Sequence, residues 1–109
     1  MADRREELAE IDRLKQRLQP LPQKGQDFAF TEPPGADRAR IAGMYERLER
    51  YDDAVRWYLE AADYAAAVGL LPRAYAWARM ALKVNPLDPT ARERAAQITA
   101  QLGLADAEA

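Results

Sequence analysis

The chain has 109 residues, with 16 basic against 18 acidic side chains, and it contains no His, no Cys and no Ser. Those absences remove the imidazole base, the thiolate and hydroxymethyl nucleophiles and every Cys/His metal site, so the composition points away from an enzyme and implies no metal and no cofactor. A net charge of −2 exerts no global pull toward nucleic acid or an anionic membrane surface.

About a fifth of the residues are Ala, only five are Gly, and β-branched residues are few, which favours helix over sheet. The first seven residues, Met1 to Glu7, lack an apolar signal core. The uncharged run Tyr64 to Pro72 is far too short to cross a bilayer. With no Cys, the expectation is a cytoplasmic chain without a membrane partner.

Residues 3–18 carry Leu8, Ile11, Leu14 and Leu18 on one helical stripe, with charged residues elsewhere. A segment of that length is marginal alone in water, so it has to dock on the rest of the chain or on a partner. Residues 19–35 break the pattern. Pro20, Pro22, Pro33 and Pro34, with Gly25 and Gly35, predict an extended linker, and within it Phe28 and Phe30 alternate and are expected to dock.

Four further helices are predicted at close spacing. The first, 36–49, directs Ile41, Met44, Tyr45 and Leu48 to one side. The second, 52–68, confines its later charges to Arg56, Glu60 and Asp63 and is apolar around the rest of its circumference, which predicts burial on more than one side. Asp52 is placed to cap it and Gly69 to end it. The third, 72–84, has Pro72 in its first turn and stops before Asn85-Pro86. The fourth begins at Asp88-Pro89, presents Ala91, Ala95, Ile98 and Leu102 as a narrow stripe, and runs to Leu102 before Gly103. Residues 104–109 are expected to fray.

Helices of this length joined by three- to five-residue turns predict an all-α domain of antiparallel helical hairpins over residues 36–103. A pattern also repeats: Tyr51-x2-Ala54-x3-Tyr58-x2-Ala61 returns as Leu71-x2-Ala74-x3-Ala78-x2-Ala81, with Pro86 beyond. With Ala62, Ala65 and Gly69 on the first half of the unit 55–88, these residues resemble the tetratricopeptide repeat, a 34-residue helix–turn–helix unit. Ala42 and Tyr45 match a second unit beginning near residue 35, so the two registers overlap. Gly103 follows Gly69 at the repeat spacing, which makes the fourth helix the opening helix of another unit. The bulky residues usual in the family are missing near Arg38 and Ala65, and a plain four-helix bundle with Ala-rich seams is the alternative.

The resemblance implies recognition of a protein or peptide on the concave face made by the opening helices. Carried onto this chain, that face comprises Arg56, Leu59 and Asp63 on the second helix and Glu93, Gln97 and Gln101 on the fourth. The Lys/Asn constellation that clamps C-terminal carboxylates in chaperone-binding members is absent. The expected function is therefore a non-catalytic adaptor or scaffold. The alternative is a structural subunit that self-associates, or joins a larger assembly, through residues 1–35. In a variant, Phe28 and Phe30 fold back into the groove.

The remaining chemistry is thin. Asp52-Asp53 is the one tempting carboxylate pair in 36–103, and the five Gly are isolated, so no phosphate loop exists. The third helix carries Arg73, Arg79 and Lys83 with Tyr75 and Trp77 interleaved. That pattern suits an acidic ligand, or cations that complement the helix dipole while the rings pack. Acidic helices around it cancel the field, so no nucleic-acid partner is expected.

Overall fold

The computed structural model describes residues 4–20 and 32–108, with side chains through residue 103. Among the described residues the chain is all-α, with helices α1 (Arg4–Gln16), α2 (Ala36–Arg47), α3 (Tyr51–Ala67), α4 (Leu71–Val84) and α5 (Pro89–Glu108) and no strand. Consecutive helices pack on each other as hairpins. The most extensive interfaces join α3 to α4 and to α2, then α4 to α5, and a thin one joins α3 to α5.

Two of the corners share one geometry. At the end of α2, Arg50 N donates to the Tyr45 carbonyl and Glu49 N to that of Glu46. At the end of α3, Leu70 N donates to Ala65 and Gly69 N to Ala66 in the same pattern. Each corner places one residue in the left-handed region, Gly69 at φ 85° and Glu49 at φ 61°. This is the hydrogen-bonding of a Schellman close, in which the left-handed residue lets the chain satisfy the last carbonyls and turn back. Glu49 and Gly69 lie twenty residues apart, as do Tyr51 and Leu71, so the sequence repeat is also a repeat of corners.

Several element ends differ from the sequence reading. Asp52 is not a cap: α3 starts at Tyr51, its N-cap Arg50 makes no side-chain cap bond, and Asp52 and Asp53 lie in the first turn, where the helix dipole favours acids. Asp53 is instead ion-paired with Arg50 at 2.9 Å. Gly103 does not terminate α5, and residues 104–108 are helical. No left-handed φ is required of Gly103 and nothing lies within 4 Å of an added Cβ. Helix therefore continues through it at a cost of about 1 kcal/mol relative to Ala. α1 ends at Gln16, leaving Leu18 beyond the helix. The start of α5 is as read: Ala91 N donates to Asp88 Oδ1 at 2.8 Å, with Pro89 in the first turn.

The core is a stack of small residues with large ones between. Ala54, Ala61, Ala62 and Ala65 on α3, Ala74, Ala78 and Ala81 on α4 and Ala91 on α5 are fully buried, which lets backbones approach closely. One layer packs Ile11 with Ile41, Met44, Tyr45 and Leu48. The next is built on Val55, Tyr58 and Leu59, and the last on Ile98 with the α3 and α4 alanines. Trp57 joins the first two layers and Trp77 the last two. α3 is thus covered on two sides by α2 and α4, as its apolar circumference demands.

Gly35 opens α2 at φ 90°, and a Cβ there would lie 2.6 Å from the Ala61 carbonyl oxygen and 2.8 Å from Trp77 Nε1. The missing side chain lets the Pro34–Gly35 backbone reach the α3–α4 seam, where Trp77 Nε1 donates to the Pro34 carbonyl at 2.9 Å. The end of the Pro-rich segment is therefore pinned to the helical body.

Candidate functional site

Because α4 packs against both α3 and α5 while those two barely touch, α3 and α5 lie side by side with an open groove between them. On α3 the residues facing it recur at helical spacing: Asp52, Val55, Arg56, Leu59, Glu60, Asp63, Ala66 and Ala67. Asp88 and Thr90 precede Arg94, Gln97, Ile98 and Gln101 on the α5 side. The groove has two hollows, of about 290 Å³ at its Asp52–Asp88 end and about 350 Å³ at its Gln101 end. Asp63 and Arg94 line both hollows, and their side chains form an ion pair across the groove where the hollows meet.

Five of the six residues assigned to this face from the sequence line it: Arg56, Leu59, Asp63, Gln97 and Gln101. Glu93 is exposed but does not line either hollow. Steps of four residues advance about 40° beyond a full turn, so the series 93, 97, 101 drifts around the helix axis. The face follows 90, 94, 97, 98 and 101 instead, and Arg94 is the residue the spacing missed. Leu59 and Val55 are buried, and so form a floor rather than projecting into the groove. The polar residues of the walls are the part a ligand meets. Asp52, Glu60, Asp63 and Asp88 outnumber Arg56 and Arg94, so the first hollow carries an acidic excess.

The N-terminal residues are distributed differently. Ile11 is 1% exposed, and Leu14 and Leu18 pack half-buried on the same cluster of Ile41, Met44, Tyr45 and Leu48. Leu8 remains 36% exposed. Arg4 donates to the Leu48 carbonyl at 3.1 Å and Lys15 Nζ to Tyr45 Oη at 2.8 Å. The Lys15 ammonium also stands 5.3 Å from the ring centroids of Tyr45 and Trp57, within cation–π range. The apolar stripe of α1 is thus used on its own chain. Phe28 and Phe30 lie outside the described residues.

Among the described residues no group of three or more acidic, His or Cys side chains is arranged to hold a metal ion, and no helix is long and apolar enough to cross a membrane. The most perturbed titrating group is structural and lies outside the groove. Burial, reinforced by its hydrogen bond to Glu46 Oε1 at 3.0 Å, pushes the Tyr58 phenol up to about 12. Burial also raises Tyr64, opposed by the Arg38 guanidinium 4.5 Å from its ring centroid. Comparison with protein-family models, curated proteins and solved structures found no match for this chain.

Proposed function

We propose that this chain is a non-catalytic interaction module that takes a segment of another protein along the α3/α5 groove. The observation that carries the reading is that one face of α3 and one face of α5 line two adjoining hollows, bridged by the Asp63–Arg94 pair, with polar side chains from both helices above buried Val55 and Leu59. Its acidic first hollow suits a basic side chain of the partner, and Gln97 and Gln101 at the far end offer backbone-type hydrogen bonding. With Val55 and Leu59 already buried, little apolar surface is left to gain. Binding then rests on exposed charge pairs worth about 0.2–1 kcal/mol each, and is transient and salt-sensitive. The resemblance to tetratricopeptide repeats agrees with this use of α3 and α5, and the absence of Cys suits a cytoplasmic setting.

Self-association through residues 1–35 is the weaker reading, because Ile11, Leu14 and Leu18 are committed to α2. The test is cross-linked capture from native lysate with the full chain. A partner held by the unmodified protein should be lost from a Glu60→Arg/Gln97→Arg variant, which cancels the acidic excess of the groove, and kept by Glu93→Arg, which reverses a charge on α5 off the groove. Equal capture by all three would refute the groove.

A further inference from the structure

The face of α4 turned away from the core carries a second set of features that the groove does not use. Arg73, Arg79 and Lys83 stand along it with no acidic residue on the helix. None of the three is in an ion pair among the described residues. Ala76, Trp77 and Met80 floor a hollow of about 390 Å³ between these cations. The guanidinium of Arg73 lies 5.7 Å from the Trp77 ring centroid and that of Arg79 lies 5.9 Å from Tyr75, so both heads rest on aromatic surface.

The helix dipole explains Lys83, in the last turn, but not Arg73, which sits near the N-terminus where a cation is disfavoured. Beside Arg73 the surface changes character. Pro33, Pro34, Leu70 and Pro72 line an adjoining hollow of about 370 Å³ that shares Arg73, and Leu70 is 43% exposed. An apolar socket therefore abuts one end of a cationic track of roughly 15 Å, the helical rise from residue 73 to residue 83.

We propose that this corner and the outer face of α4 form a second docking surface, for an acidic segment of a partner protein that carries one apolar anchor residue. The anchor fills the socket against Leu70 and Pro72. The carboxylates run along the track to Arg73, Arg79 and Lys83, and an extended run of about five residues covers the distance. Charge complementarity selects the ligand. Nucleic acid is the poorer match, because three cations on a chain of net charge −2 give a weak field for a polyanion. The surface is separate from the α3/α5 groove and stands or falls independently of it.

The test uses the full chain and a fluorescein-labelled probe peptide with one Phe followed by six Glu, read by anisotropy. A peptide with Gln in place of each Glu and a twelve-nucleotide oligothymidylate run beside it. Saturable binding of the Glu peptide is expected, with a loss of about tenfold for the Gln peptide and for the Arg73→Glu/Lys83→Glu variant. Arg92→Glu, a charge reversal on α5, should leave affinity within about twofold. Leu70→Asn, which removes the apolar anchor without adding charge, should weaken the Glu peptide and leave its dependence on salt in place. The altered cations are exposed, and matching circular dichroism will establish that the variants fold. No saturable binding at millimolar peptide overturns the proposal. So does equal binding of the Gln peptide, unchanged affinity of the double variant, or tighter binding of the oligothymidylate.

Discussion

Replacing Gly35 and Gly69 in turn by Ala separates backbone conformation from packing at two left-handed positions. The two have nearly the same φ, 90° and 85°, so each Ala incurs the same conformational penalty of about 1 kcal/mol. Around Gly69 nothing lies within 4 Å of an added Cβ, and the cost ends there. At Gly35 the Cβ meets the Ala61 carbonyl oxygen at 2.6 Å and Trp77 Nε1 at 2.8 Å. Ala61 is a fully buried part of α3 and cannot retreat. The Pro34–Gly35 backbone has to lift off, losing the Trp77–Pro34 hydrogen bond, at about 1 kcal/mol, and strained contacts at about 1 kcal/mol or more. Gly35→Ala should therefore cost about 3 kcal/mol against about 1 kcal/mol for Gly69→Ala. At roughly 4 °C per kcal/mol for a domain of this size, midpoints fall by about 12 °C and about 4 °C. Urea and thermal unfolding give the energies, and the Trp77 indole N–H resonance should move upfield only in Gly35→Ala. Equal losses at the two sites, or an unmoved indole proton, would refute the packing of Gly35 against the α3–α4 seam.

Three more outcomes follow from the same packing. Tyr58 is protonated in the fold up to about 12 but only to its ordinary value of 10 when unfolded, so its contribution to stability is complete below pH 10 and lost as the pH rises toward 12. Tyrosinate absorbance should show a late class that disappears in Tyr58→Phe, and a single class near 10 would contradict it. Ile11→Ala removes a fully buried side chain and should cost about 2–3 kcal/mol, with amide protection lost over residues 4–16 and retained in α3 and α4. Uniform loss of protection throughout would count against α1 as a separately docked helix. Asp88→Ala removes the acceptor for Ala91 N and should cost about 1 kcal/mol in urea unfolding, whereas an unchanged midpoint would mean that the cap carries no stability.

Where a feature depended on a few neighbouring residues, it could be read directly. Asp88-Pro89 opens α5 because a carboxylate and a ring with fixed φ suit the first turn. Gly69 ends α3 because only a residue at ease with positive φ closes that corner without strain. The α2–α3 corner defeated the same logic: Glu49 adopts the left-handed conformation there without being Gly, held by the hydrogen bonds that close α2. The groove fell between these cases. Helical spacing located its α3 wall, while a drift of phase along α5 substituted Glu93 for Arg94.

By itself, then, the sequence determined that this is an all-α chain, which sides of the first, second and last helices are apolar, and that imidazole and thiolate chemistry are absent, because helix propensity, side-chain periodicity and composition are local properties. It also required that something cover the stripe of α1 and surround α3. What covers them was decided only in three dimensions. α1 lies on α2 because Ile11 and Lys15 find Ile41 and Tyr45 there, with Trp57 of α3 beside them, and α3 faces α5 across the groove because both pack on α4. Apolar faces carry no address, and their partners follow from which close-packed arrangement the short corners allow.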